Sequence, residues 1–399
     1  MEIIMKKDRR HLRQARFDGQ AVLEFFKRFG FVLFIAIVFL MLTFAVAFSQ
    51  KPKSQADKTK DAQARISVGD TYMQQGNGGL AVSNYEEAAL LNPRDPLPHY
   101  KIGTVYQRSK NPDAAMEAFQ KAVSIDPNYA PAYKEMAELY YTSKNGVEAV
   151  KSQQKYMDLS GSPDDGLVRL GYYLFMTRDF AKTNDAFGKA YQKGLLRDTG
   201  LRYYALSLVE IGDFEKGREI FEEYFSKVGQ QSIEASDYAG YGKVLVHLGQ
   251  DSLAAIALER SLSIDNRQTP VKKMLWETLY SLGKSYYSKQ KFALADTTFE
   301  KLIGLQPRIA TGYLWAGRSS AGLDPESEKG LAKDFYEKVI EIGQTTPDKS
   351  KNDLKEAYSY LGYYYFVKKD PALSRKNWEK VLALDPQDER AKEALKAIK

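Results

Sequence analysis

Apolar residues recur at helical spacing from residue 98 to residue 108, and again from 113 to 125, with polar residues on the opposite faces. Between these stretches lies Ser-Lys-Asn-Pro-Asp, a turn sequence whose Pro112 suits the first turn of a following helix. A second polar turn, Asp-Pro-Asn-Tyr-Ala-Pro, closes the unit. The pattern predicts two helices folded back on each other. Gly103, Ala115 and Ala122 are small where the two helices must approach closely, and Tyr106 and Phe119 fill the wider gaps. One such hairpin leaves an apolar face uncovered, so it must stack on neighbours.

The chain supplies those neighbours. Shifting the pattern back by 34 residues lands on Gly69, Tyr72, Ala81, Tyr85, Ala88 and Pro93, which match Gly103, Tyr106, Ala115, Phe119, Ala122 and Pro127. Self-similarity at this period signals an array of stacked units.

These small, aromatic and proline positions resemble the tetratricopeptide repeat (TPR). Nine copies are placed at 62–95, 96–129, 130–163, 164–197, 198–231, 235–268, 276–309, 310–346 and 355–388. The seventh keeps Gly283, Tyr286, Ala295, Phe299 and Pro307, and the ninth keeps Gly362, Tyr365, Trp378 and Pro386. Others depart from the pattern, with Gln153 at an aromatic position, Thr183 at a small one, and Leu258 and Ser261 in the sixth copy. The eighth needs extra residues in its turn, Gly-Leu-Asp-Pro-Glu-Ser-Glu-Lys-Gly. The resemblance implies an all-α fold, a right-handed superhelical solenoid of about nine hairpins. Residues 389–399 read as a capping helix with Ala391, Leu395 and Ile398 on one side.

Charge is distributed unevenly. Residues 1–65 hold 13 Lys and Arg against 6 Asp and Glu, and the remainder holds 45 against 45. The repeats have no net basic character, which argues against nucleic-acid binding. The absence of cysteine excludes disulfides, thiolate metal sites, a thiol nucleophile and a lipid-modified cysteine.

The N-terminus bears on the compartment. Residues 1–28 are basic and are expected in the cytoplasm, and residues 29–48 carry no charge. Twenty helical residues reach about 30 Å, enough to cross a bilayer. Residues 29–49 are either a signal anchor or the core of a signal peptide cleaved after Ser49. The basic flank places the repeats outside the cytoplasm, at a bacterial inner membrane or in the periplasm. Residues 50–61 are polar and read as a flexible tether.

Little in the chain points to catalysis. His11, His99 and His247 lack metal-ligand spacing, and the glycines at 76–79 lack the lysine and the strand of a phosphate loop. No cofactor, metal or enzymatic activity is expected. The resemblance instead implies binding of partner proteins on a concave face lined by the first helix of each repeat. Its inward positions (2, 5, 9, 12 and 13) carry Tyr100, Tyr141, Tyr172, Phe175 and Met176, then the cations Arg202, Lys243, Lys284 and Arg318. Tyr280 and Tyr287 lie beside them, and Tyr363 and Phe366 follow in the last repeat. The expected site is a cationic track flanked by aromatics, suited to an extended acidic peptide. The family's carboxylate clamp is absent from the first two repeats, where Ile66, Asp70, Tyr100 and Thr104 stand. Two other readings stay open: an adaptor facing the cytoplasm, and an envelope glycan-binding protein or enzyme using the aromatic groove.

Overall fold

The computed structural model describes residues 53–161, 164–345 and 347–398, with scattered helical positions between 20 and 39. Most of the apolar segment 29–48, its cleavage site and the basic flank lie outside the described residues. Among the described residues, no helix is long and apolar enough to cross a membrane. The chain forms two compact units, residues 1–132 and 133–399.

The N-terminal unit pairs the helices Gln55–Gln74 with Gly78–Leu91 and Leu97–Arg108 with Pro112–Ile125. Short side chains fix where the second helices begin. The Asn77 and Asn111 side chains accept from the backbone N–H of Leu80 and Ala114, meeting donors that the first helical turn leaves unpaired. Just before them, Gly76 and Lys110 take the left-handed conformation that reverses the chain. The first helix begins earlier than the polar sequence suggests, so part of the expected tether is helical. Ser54 and Asp57 form a reciprocal capping box, which starts the helix at Gln55.

The predicted close approach is real. A Cβ on Gly103 would lie 2.5 Å from Cε1 of Phe119, inside van der Waals contact. Gly69 faces Tyr85 in the same way. Ala81, Ala88, Ala115 and Ala122 are fully buried.

The second unit continues the pairing from Gly146–Ser160 onward. Its hairpins are Asp164–Met176 with Phe180–Gln192, Asp198–Ile211 with Phe214–Lys227, and Ala235–His247 with Asp251–Ile264. Then come Thr269–Ser288 with Phe292–Leu305, Ala310–Leu323 with Lys333–Gly343, and Pro347–Val367 with Pro371–Leu384. Gly171, Gly283 and Gly362 lie against Phe187, Phe299 and Trp378. The helix Glu389–Ala397 caps the stack, with Ala391 and Ile398 buried against Trp378 and Val381. The extra residues of the eighth repeat wrap around one side chain. The Asp324 carboxylate accepts from the backbone N–H of Lys329 and Gly330 at 2.9 and 2.7 Å.

Candidate functional site

Tyr100 belongs to the N-terminal unit. Its half-buried ring packs on Phe119 and edge-on against Tyr129, with centroids 5.7 and 5.6 Å away. The other sequence-predicted residues lie in the second unit, where most gather into three groups.

The first group surrounds Tyr203. Tyr172 and Phe175 meet its ring edge-on at 5.5 and 4.8 Å, and Tyr141 rests on Tyr173 at 4.9 Å. Met176 lies close to Gly146. The second group surrounds Trp315. Tyr280 and Tyr287 approach it edge-on at 6.3 and 5.4 Å, and Phe299 stacks on it at 5.7 Å. Lys284 Nζ sits 5.4 Å from this ring and 5.2 Å from that of Tyr280, while the Arg318 guanidinium covers Trp315 at 4.5 Å. Tyr203 and Trp315 were not among the predicted residues. Each is the sixth residue of its repeat, outside the inward set, yet each bridges to the preceding repeat. The signal available in the sequence was a large aromatic recurring at that register.

The third group is a surface hollow. Tyr363 and Phe366 line two adjoining grooves of about 560 and 390 Å³ between the last hairpin and the capping helix. Phe366 is 49% exposed, although it is a large apolar side chain. The Arg390 guanidinium stands 5.8 Å over the Trp378 ring, and among the described residues it forms no ion pair. Lys369 borders the other groove.

The four cations do not form a free track. Arg202 Nε lies 2.6 Å from Asp237 and its Nη2 lies 2.5 Å from Glu234. Arg318 binds Glu356 with two hydrogen bonds of 2.8 and 2.6 Å. Lys243 stands 3.7 Å from Glu210. Lys284 alone among the four forms no ion pair within the described residues and stands over two aromatic rings.

These pairs belong to a recurring arrangement, in which a carboxylate is held between a tyrosine hydroxyl and a cation from an adjacent hairpin. In the N-terminal unit Asp70 accepts from Tyr85 at 2.7 Å and Lys101 at 2.9 Å. In the second unit Glu138 accepts from Tyr173 and Arg169, and Glu356 from Tyr336 and Arg318. Asp237, fully buried, accepts from Arg202, from the Glu234 N–H and, at 3.4 Å, from Tyr224. Burial beside the Asp237 charge pushes the Tyr224 phenol up to about 12, so it remains a donor. Such charge-assisted bonds hold neighbouring hairpins in register.

Other ionisable groups have structural surroundings. His247 stacks on Phe214 with centroids 4.0 Å apart, and burial lowers the pKa of the half-buried His99. Among the described residues, no group of three or more His, Asp or Glu could hold a metal ion.

The repeat register and the helical hairpins meet an independent match. Tetratricopeptide-repeat families match at residues 69–110, 96–129 and 277–309. The chain carries tetratricopeptide repeats. No curated protein matches it in sequence. Solved structures similar to it include proteins described as TPR proteins. The C-terminal part of a TPR repeat-containing protein from Cytophaga hutchinsonii is 29% identical, with 57% of this chain and 99% of that chain covered and a TM-score of 0.30. YrrB, described as a TPR protein with an unusual peptide-binding site, is 15% identical over 47% of this chain and 95% of that chain, with a TM-score of 0.42. Pseudomonas aeruginosa pilF is 17% identical over 55% and 99%, with a TM-score of 0.41. The TPR hairpins thus supply two aromatic clusters, a terminal hollow and a set of internally paired charges.

Proposed function

We propose that this TPR protein is a non-enzymatic scaffold that binds partner proteins as peptides along the first-helix face of its second unit. The observation that carries the reading is the hollow beside Phe366. A half-exposed phenylalanine, a tyrosine hydroxyl and an arginine that forms no ion pair among the described residues, although Glu393 shares the lining, offer an apolar anchor point and polar handles together. Peptides combining an apolar side chain with a nearby carboxylate fit that lining. The clusters around Tyr203 and Trp315 extend the same aromatic character along the unit.

The uncharged segment 29–48 and its basic flank support a setting at a bacterial cell membrane, with the repeats outside the cytoplasm. A scaffold tethered there would assemble or maintain an envelope complex. Quantitative pull-down from the envelope fraction tests the binding claim. Phe366→Asp with Arg390→Glu is expected to lower partner recovery at least about tenfold, with circular dichroism unchanged. Full recovery by the folded double variant refutes it.

A further inference from the structure

A second surface lies apart from the first-helix face. Between the helices Phe214–Lys227 and Asp251–Ile264, over the helix Ala235–His247, runs an open trough of about 530 Å³. Its floor is aromatic, with Phe225 stacked on Tyr238 at 5.3 Å and meeting Tyr241 edge-on at 5.3 Å. One rim carries Leu253 and Ile256, which are 52% and 61% exposed. These two residues are one helical turn apart and share a face. Adjacent exposed aliphatics over an aromatic floor are an uncovered apolar surface.

We propose that this trough docks an amphipathic helix of a partner protein, with aliphatic side chains on one face and a carboxylate beside them. The trough is built from helices, whose backbone groups bond internally. An extended peptide would bury backbone N–H and C=O groups there without partners, whereas a helix satisfies its own. Charge selects the carboxylate. Glu259 is engaged by Lys301 at 2.8 Å, and Glu222 accepts from the Tyr241 hydroxyl at 3.0 Å. Arg260, exposed on the same lining, forms no ion pair among the described residues. A second copy docked by two-fold symmetry would bring two Arg260 side chains together, and residues 1–28 of the chain are themselves basic. An acidic helix from another protein meets neither repulsion.

The test uses the full chain in the cells that express it. A photoreactive benzoylphenylalanine replaces Ile256, and crosslinked peptides are sequenced by mass spectrometry. The expected adduct is a partner segment with apolar residues at helical spacing and an Asp or Glu within one turn. Arg260→Glu should cut its yield at least about fivefold, and Arg260→Lys should retain most of it. Partner capture at Phe366 should persist in Arg260→Glu, which separates this surface from the hollow. Absence of an adduct, an adduct to a second copy, a basic or non-helical segment, or a yield indifferent to Arg260→Glu overturns the proposal.

Discussion

Arg318 and Glu356 lie 38 positions apart in sequence yet face each other through two parallel hydrogen bonds, Nε to Oε1 at 2.8 Å and Nη2 to Oε2 at 2.6 Å. The guanidinium holds this carboxylate along its edge and lies over the Trp315 ring. A cation in that position clamps two repeats and is not available to attract a peptide. Arg318→Ala leaves Glu356 and the Tyr336 hydroxyl without their cation, and should cost about 1–3 kcal/mol. Arg318→Lys keeps the charge but loses the fork and the stacking, so it should destabilise almost as much. Urea unfolding of the three proteins checks this. A lysine variant as stable as wild type would mean that charge alone matters.

Packing at the repeat glycines gives a sharper contrast. Gly103→Ala places a Cβ 2.5 Å from the Phe119 ring and should cost roughly 1–3 kcal/mol. Gly304 has open space around it, so Gly304→Ala should be neutral or stabilising by up to ~1 kcal/mol. Gly78 opens a helix, and its added Cβ would meet Val105 at 3.1 Å, so Gly78→Ala also acts through packing. Melting curves of the two alanine variants measure the difference.

Acid should loosen the long turn of the eighth repeat. Burial pushes the Asp324 carboxyl up, but the backbone N–H groups of Gly330, Leu331, Lys329 and Glu328 outweigh it and hold the group below its usual range. A depressed folded value means that the stabilisation is present above about pH 4 and is lost as pH falls through that lower value. Asp324→Asn should therefore lower the thermal midpoint at neutral pH, and the gap from wild type should close in acid. A gap that is constant with pH would show that the carboxylate charge is not what the turn uses.

Much of this architecture was legible because repeat contacts are local. Gly103 and Phe119 sit in one hairpin, so their spacing alone predicts that they touch. Ala391 and Ile398 read as a cap for the same reason. The partners of the cations were not legible. Asp237 and Glu356 lie one repeat beyond Arg202 and Arg318, and pairing them requires knowing how two hairpins are set against each other. Tyr203 and Trp315 fall outside the family's inward register, so only their ring size marks them in the sequence. The capping box at Ser54 and Asp57 is masked in the sequence by the polarity of the stretch around it.

Membrane placement makes its own prediction. A reporter active only after export, fused to the C-terminus of the full chain, should be active, and its cytoplasmic counterpart should be silent. The size of the fusion then distinguishes a retained anchor from a cleaved signal near Ser49. Activity confined to the cytoplasmic reporter would reverse the orientation.

Crosslinking decides whether the Phe366 hollow holds partner peptides. A photoreactive side chain is placed at Phe366 in the full chain, with the same group at Leu90, 81% exposed in the N-terminal unit, as reference. Discrete protein adducts are expected at Phe366, mapping to segments with an apolar residue near a carboxylate, that disappear with Arg390→Glu and are absent at Leu90. Equal labelling at the two positions, or adducts to glycan only, would contradict peptide binding there.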